Sequence, residues 1–408
     1  MERLCYTEAV DHLETAIALC AVGAEKIVSR ELRKLDLSVE SSEFGRVRFR
    51  ADVAGLYRAL MALRAADRVL LETGSFPAGD FDALFEGVRA VPWEQYVPPG
   101  MGFIVSKVRA SRSRLRAETS IQAVAHKAAA ERLCTARHIP RLPEDGSAAE
   151  VRVYIEKDQV SLLLDLAGEP LFKRGYRSEG GIAPIRETTA AAMILLANWR
   201  RKFPLYDPFC GSGTILIEAA MYAWDMAPCL GRSFALEKLS IANQELERAV
   251  RNGLLEKVNF DRIIRIAGSD EDGRAVSIAR SNAERAWDLA RGQSPARGIR
   301  QTIRLPEDPA WQSLPDIRAI RMKDVRAPWD EPGFIITNPP YGKRLGAPDI
   351  AEKTYGEMAE LRRHFPEWTL ALITDHPGFE SFFGRKADSC REITNGAIPS
   401  YFFLYGEH

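Results

Sequence analysis

Gly333-Phe-Ile-Ile-Thr-Asn338-Pro339-Pro340-Tyr341-Gly342 is an apolar run closed abruptly by two prolines. Phe334 to Thr337 are apolar or β-branched, which predicts a short buried strand. Neither proline can donate a hydrogen bond, so the strand ladder stops there. The strand therefore ends in a carboxamide and an aromatic ring on stiff backbone. In an open α/β sheet the carboxyl ends of the strands are where ligands bind. Asn338 can both accept and donate hydrogen bonds, and Tyr341 offers a flat face to a planar ring. The set suits an aromatic amine. The plainer alternative is a Pro-rich turn capped by Asn338.

A second stretch lies upstream. Leu205-Tyr-Asp207-Pro-Phe-Cys-Gly211-Ser-Gly213-Thr runs straight into Ile-Leu-Ile-Glu-Ala-Ala, which reads as a helix start. Gly211 and Gly213 allow a tight turn and close approach of a ligand to backbone N–H groups. Taken together, and in this order, the two stretches resemble motifs I and IV of the class I S-adenosylmethionine-dependent amino-methyltransferases. An acid ending the following strand can accept both hydroxyls of a ribose, which selects Asp270, with Asp272 second. The gap from Gly213 to Asp270 is far longer than the roughly twenty residues of a dinucleotide fingerprint, which argues against an NAD enzyme. The resemblance further implies that Asp324 accepts the adenine amine of the cofactor. It also places Gly342-Lys343-Arg344-Leu345-Gly346 beside a nucleotide phosphate or the acidic end of the cofactor.

Composition narrows the class. A chain of 408 residues suggests two or three domains. Its 56 basic and 56 acidic residues cancel, so any nucleic-acid contact must use local patches. The six cysteines include no Cys-x-x-Cys pair, which speaks against a zinc ribbon or iron–sulfur site and fits a reducing cytoplasm. No metal is expected. The start lacks the apolar core of a signal peptide, and no apolar run is long enough to cross a membrane.

The first part of the chain reads as short mixed α and β elements. A helix is predicted within residues 7 to 35, because Leu13, Ile17, Val22, Ile27 and Leu32 recur at roughly three and four. Strands are predicted at 45–49 and 68–71, and helices at 53–66 and 81–91. A strand opening at Gly102 leads into Lys107, Arg109, Arg112, Arg114 and Arg116, with no acid among them, a run that could meet phosphates. Residues 151–156 and 159–166 read as a hairpin turning at Lys157-Asp158. This arrangement resembles the THUMP domain, an RNA-binding α+β module. The piece Leu163-Leu-Asp-Leu-Ala-Gly-Glu-Pro-Leu-Phe-Lys-Arg-Gly-Tyr176-Arg resembles the exit from THUMP in bacterial THUMP-methyltransferases. In that family the segment Ala183-Pro184-Ile-Arg-Glu187 lies near the cofactor.

The expected organisation is an α/β Rossmann-like methyltransferase domain preceded by THUMP and a small ferredoxin-like lobe. The lobe spans 1–50 with a later strand, THUMP 51–167 and the methyltransferase domain 168–408, with an irregular insertion at about 289–316. The chain is similar to the N-terminal methyltransferase part of the bacterial 23S rRNA guanine-N2-methyltransferases. It implies transfer of a methyl group from S-adenosylmethionine to a guanosine N2 amine in 23S rRNA or an assembly intermediate. The alternatives are a tRNA guanosine or an adenine-N6 amine in DNA or RNA. Asn338 and Pro339 would hold the amine and Tyr341 would stack on the base. An inherited fold used as a non-catalytic RNA chaperone is disfavoured by the intact motifs.

Overall fold

The computed structural model describes residues 13–177, 185–290, 315–340, 348–396 and 398–406. In chain order the first half holds β1 (Glu14–Cys20), α1 (Glu25–Lys34), β2 (Ser38–Glu43), β3 (Arg46–Ala51) and α2 (Val53–Ala62). It continues with β4 (Ala66–Pro77), α3 (Phe81–Ala90), β5 (Gly102–Ser111), α4 (Glu118–Arg137), β6 (Ala148–Glu156) and β7 (Gln159–Asp165). These strands make one seven-stranded sheet in the order β2-β3-β1-β4-β7-β6-β5. β4 pairs with β1 along its first part and with β7 along most of its length, so one long strand joins the two expected small modules. The sheet curls far enough that Arg46 of β3 reaches Glu156 of β6, 3.1 Å away. Ile17, Leu70 and Leu163 are buried in their own small cluster on the face away from Ala16 and Ala18.

The helix expected within 7–35 is present in its second part, as α1, while the first part, Glu14–Cys20, is the strand β1. Ala16, Ile17 and Ala18 are all buried, so the strand shows no alternation in its sequence. Its apolar residues fall in step with those of α1 and imitate one long helical stripe. Gly23, at φ +93°, separates the two elements. The hairpin turn at Lys157 and Asp158 is as expected, with both residues at positive φ.

The second half holds α5 (Glu187–Leu196), β8 (Leu205–Asp207), α6 (Thr214–Ala223), α7 (Gln244–Leu255), β9 (Ile266–Asp270) and α8 (Gly273–Ala290). Then come β10 (Asp316–Ala319), β11 (Phe334–Thr337), α9 (Pro348–Met358), α10 (Leu361–His364), β12 (Thr369–Thr374), α11 (Phe379–Phe383), β13 (Ser389–Asn395) and β14 (Ile398–Tyr405). The second sheet runs β10-β9-β8-β11-β12-β14-β13. Its first five strands are parallel, and the β13–β14 hairpin closes it antiparallel. The chain moves outward from β8 to β9 and β10, then crosses back to β11. That reversal of strand order is where an open α/β sheet offers a crevice. α7, which follows the Ala227–Phe234 stretch, carried no sequence expectation. Most of the expected insertion at 289–316 lies outside the described residues.

The two halves are joined by buried polar contacts. Val22 N–H donates to Thr394 Oγ1 (3.0 Å), and Thr394 N–H donates back to the Val22 carbonyl (3.1 Å). A Cβ on Gly23 would stand 2.2 Å from the Glu392 carbonyl oxygen. Arg174, 2% exposed, donates to Glu218 on α6 (3.3 Å) and to the carbonyls of Leu171 (2.7 Å) and Arg64 (2.5 Å). Tyr176 donates its hydroxyl to the same Glu218 oxygen.

Candidate active site

The carboxyl ends of β8 to β11 open into a cavity of about 780 Å3. Asp207 ends β8 and is 1% exposed. Its Oδ1 accepts from Thr337 Oγ1 on β11 (2.6 Å) and from the Phe209 N–H (3.0 Å). Burial pushes this carboxyl up to about 7, against those two hydrogen bonds, and the neighbouring Asp270 pushes the same way. Thr337 thus ties β11 to the aspartate of the glycine turn. In the sequence Thr337 is marked only as the last residue of a strand.

Asp270 ends β9 and is half-buried. Each of its oxygens accepts one backbone N–H: Gly211 at 2.9 Å and Asp272 at 3.0 Å. A carboxylate oxygen can accept more than one hydrogen bond, so Asp270 keeps capacity for ligand hydroxyls while bracing the glycine turn. Gly211, at φ +50°, has nothing within 4 Å of where a Cβ would stand, which leaves its backbone open to the cavity. Gly213, at φ +79°, instead packs on Ala279 of α8 and serves the turn rather than the cavity wall. Cys210 lines the cavity as a buried thiol, and burial raises its pKa well above the usual range.

Asn338 stands directly after β11. The residue lines the cavity, and its Oδ1 is buried with no hydrogen-bond partner among the described residues. A buried acceptor without a donor costs about 1–3 kcal/mol, so this atom is an open acceptor at the site. Pro340 also lines the cavity, and Pro339 is buried beside it. Tyr341, Lys343, Arg344 and Pro184 lie outside the described residues.

Other expected residues are placed differently. Asp272 lines the cavity and is exposed, accepting the Arg274 N–H at 2.8 Å. Asp324 is exposed in a 3-10 turn and does not reach the cavity wall, where Arg321, Met322 and Lys323 stand instead. The chain forms a turn here rather than continuing β10 as a strand. Lys107, Arg109, Arg112, Arg114 and Arg116 are all exposed, but the structure does not bring them to the cavity. Lys107 and Arg109 stand on β5, and Arg112, Arg114 and Arg116 in the loop after it. That loop lies at the turn end of β7, and that strand needs seven residues, roughly 20 Å, to return to the connection between the halves. Nor is the run free of acid in space: Asp158 accepts from the Ser113 hydroxyl and the Arg114 N–H and sits 3.7 Å from the Arg114 guanidinium.

Behind the glycine turn, Arg177 donates to Thr214 Oγ1 (2.7 Å) and the Ile185 carbonyl (2.9 Å) and lies 3.5 Å from Glu187. Burial lifts Glu187 to about 7, with Arg177 opposing. Thr214 and Ile185 line the cavity, so Arg177 connects Glu187 to its wall.

The donor set fits a nucleoside-bearing cofactor: Asp270 for hydroxyls, open backbone at Gly211, and Met322 and Ile278 as apolar wall. Among the described residues no group of His, Cys, Asp or Glu could hold a metal ion, and no helix is long and apolar enough to cross a membrane.

Comparison with known proteins agrees with this geometry. The model of the RMKL-like methyltransferase domain matches residues 174–290 and 299–401, and that of the RlmL ferredoxin-like domain matches 15–70. The chain belongs to the RMKL-like methyltransferase family. It is 35% identical over 393 residues to YpsC of Bacillus subtilis, named as a candidate RNA methyltransferase, covering 96% of this chain and 95% of that protein. It is 31% identical to the ribosomal RNA large subunit methyltransferase K/L of Syntrophotalea carbinolica over 92% of this chain. It spans only 51% of that longer relative. Among solved structures it is similar to SMU.472, a candidate methyltransferase crystallised with SAH, at 36% identity and a TM-score of 0.84, over 97% of this chain and 99% of that one. This RMKL-like protein is thus a ferredoxin-like N-terminal domain followed by a class I methyltransferase domain.

Proposed function

We propose that the protein transfers a methyl group from S-adenosylmethionine to the N2 amine of a guanosine in RNA, with 23S ribosomal RNA as substrate. The buried, unpartnered Oδ1 of Asn338 carries this reading. S-adenosylmethionine supplies a methyl group already activated on a sulfonium. Asp270, braced by Gly211 and Asp272, receives the ribose hydroxyls, and the open backbone at Gly211 receives the amino-acid end. Asn338 Oδ1 and the Pro339 carbonyl accept the two amine hydrogens. This pyramidalises the nitrogen, frees its lone pair for the methyl carbon and opposes the positive charge that develops on it. The carbon–sulfur bonding pair stays on sulfur, and the excess amine proton leaves to solvent. Tyr341 stacks on the base. The target nucleotide must be flipped or single-stranded, because its amine is otherwise paired.

The ribosomal assignment is supported by the K/L relative and the ferredoxin-like domain. The division into a lobe at 1–50, a THUMP module at 51–167 that grips RNA through Lys107 to Arg116, and catalysis at 168–408 belongs to the same proposal. A transfer RNA guanosine or an adenine-N6 amine would meet the same two acceptors. Purified protein with radiolabelled cofactor, offered ribosomal RNA, transfer RNA and DNA separately, tests it. Label is expected in ribosomal RNA as N2-methylguanosine. Label confined to DNA, or to adenine, would overturn it.

A further inference from the structure

The segment after β10 is two-sided. Ile320, Met322, Val325 and Ala327 pack with an apolar cluster under α9 and β12. Arg321, Lys323 and Arg326 project from the same segment and are exposed. Arg321 and Lys323 line the cavity, and neither has an ion-pair partner among the described residues. Arg326 donates to the carbonyls of Val325 (2.9 Å) and Lys323 (3.3 Å) and meets His364 Nδ1 at 3.1 Å, and no carboxylate among the described residues pairs with it. The Ala327 N–H donates to the His364 carbonyl, which fastens α10 alongside. There Arg363 pairs with Glu360, while Arg362 is exposed and has no ion-pair partner among the described residues. The cavity that Arg321 and Lys323 line also carries Asp270, Glu271, Asp272 and Glu357. Glu357 lies 3.9 Å from Lys353, and among the described residues none of these acids, nor Asp324, forms an ion pair with the four cations.

This charge is a poor match for the cofactor, which carries a net positive charge and only one carboxylate. It matches a polyanion. β10 is the edge strand, so the patch opens to solvent on one side and to the cavity on the other. Three strand intervals, about 14 Å, separate β10 from β11, which carries Asn338. The phosphates flanking a nucleotide at Asn338 can span that distance. We propose that Arg321, Lys323, Arg326 and Arg362 form a phosphate-binding track that holds the RNA backbone next to the target nucleotide. It is separate from the Lys107–Arg116 run. The proposal rests on the RNA reading above.

The test uses the full chain with Arg321→Gln, Lys323→Gln and Arg362→Gln combined, three exposed positions without an ion-pair partner among the described residues. A ribosomal RNA fragment methylated by the wild type is titrated across a salt series, and cofactor affinity is measured without RNA. The slope of log affinity against log salt should fall by roughly two to three, with about tenfold or greater loss of affinity at low salt. Cofactor affinity should stay within a few-fold. Parallel salt slopes overturn the track. Lost cofactor affinity with an unchanged slope overturns it too, assigning the cations to the cofactor. A wild type that binds and methylates no RNA defeats the underlying RNA reading instead, and is distinguished because the wild-type arm itself fails.

Discussion

Asn338 and Asp207 make separate predictions at the scale of single residues. Asn338→Ala removes an acceptor that matters only when the amine is reacting. Single-turnover transfer should slow by about 10²-fold or more, while cofactor affinity stays within a few-fold. An unchanged rate would remove Asn338 from the chemistry. Asp207 titrates near 7 in the folded protein, against 3.8 for an ordinary aspartate. A carboxyl raised on folding adds stability that is complete below the unfolded value and is lost as pH rises through about 7. The unliganded protein should therefore melt at a lower temperature at pH 8 than at pH 6. Glu187, also near 7, contributes in the same direction. A cationic cofactor prefers ionised Asp207, so its affinity should rise from pH 6 to pH 8 and then level off. Calorimetry of Asp207→Asn should show that rise abolished; a persisting rise would assign it elsewhere. The motif residues themselves were legible in the sequence because each is a distinctive residue type on a turn or strand end. The donor to Asp207, Thr337, was not, because a threonine in a strand carries no signal until its neighbouring strand is known.

At the scale of elements, α6 links catalysis to the other half of the chain. Its first residue, Thr214, lines the cavity, and one turn on Glu218 holds Arg174 and Tyr176 out of water. Removing one member of a buried ion pair strands the other, which costs about 3–5 kcal/mol. Glu218→Ala should lower the unfolding free energy by about that much in urea, with the slope on denaturant unchanged. A loss below about 1 kcal/mol would mean that solvent enters the junction. Gly23→Ala should loosen the other contact between halves, since its Cβ has no room against Glu392. Strands bounded by clear turns, such as β6, β7 and β11, could be read from the sequence. β1 could not, because burial on both faces erases alternation, and α7 was missed altogether. The segment at Asp324 shows the same limit: a strand-like pattern forms a 3-10 turn instead.

At the scale of the whole molecule, zero net charge means RNA must be held by local fields rather than general attraction. The sequence revealed the arginine-rich run at 107–116, whose charge is contiguous in the chain. It hid the Arg321–Arg362 patch, which forms only when α10 folds against the segment after β10. It also hid Asp158, which sits within the first run. Arg109→Ala, Arg112→Ala and Arg114→Ala together should reduce the salt slope of RNA binding by roughly two to three without changing cofactor affinity. A parallel slope would leave the patch near the cavity as the principal contact. The central claim is tested most directly by nucleoside mass spectrometry of ribosomal and transfer RNA from cells lacking the gene, complemented with wild type or Asn338→Ala. The account predicts that one N2-methylguanosine is lost from large-subunit ribosomal RNA, returns with the wild type and does not return with Asn338→Ala. Unchanged modification in both RNA classes, or restoration by Asn338→Ala, would contradict it.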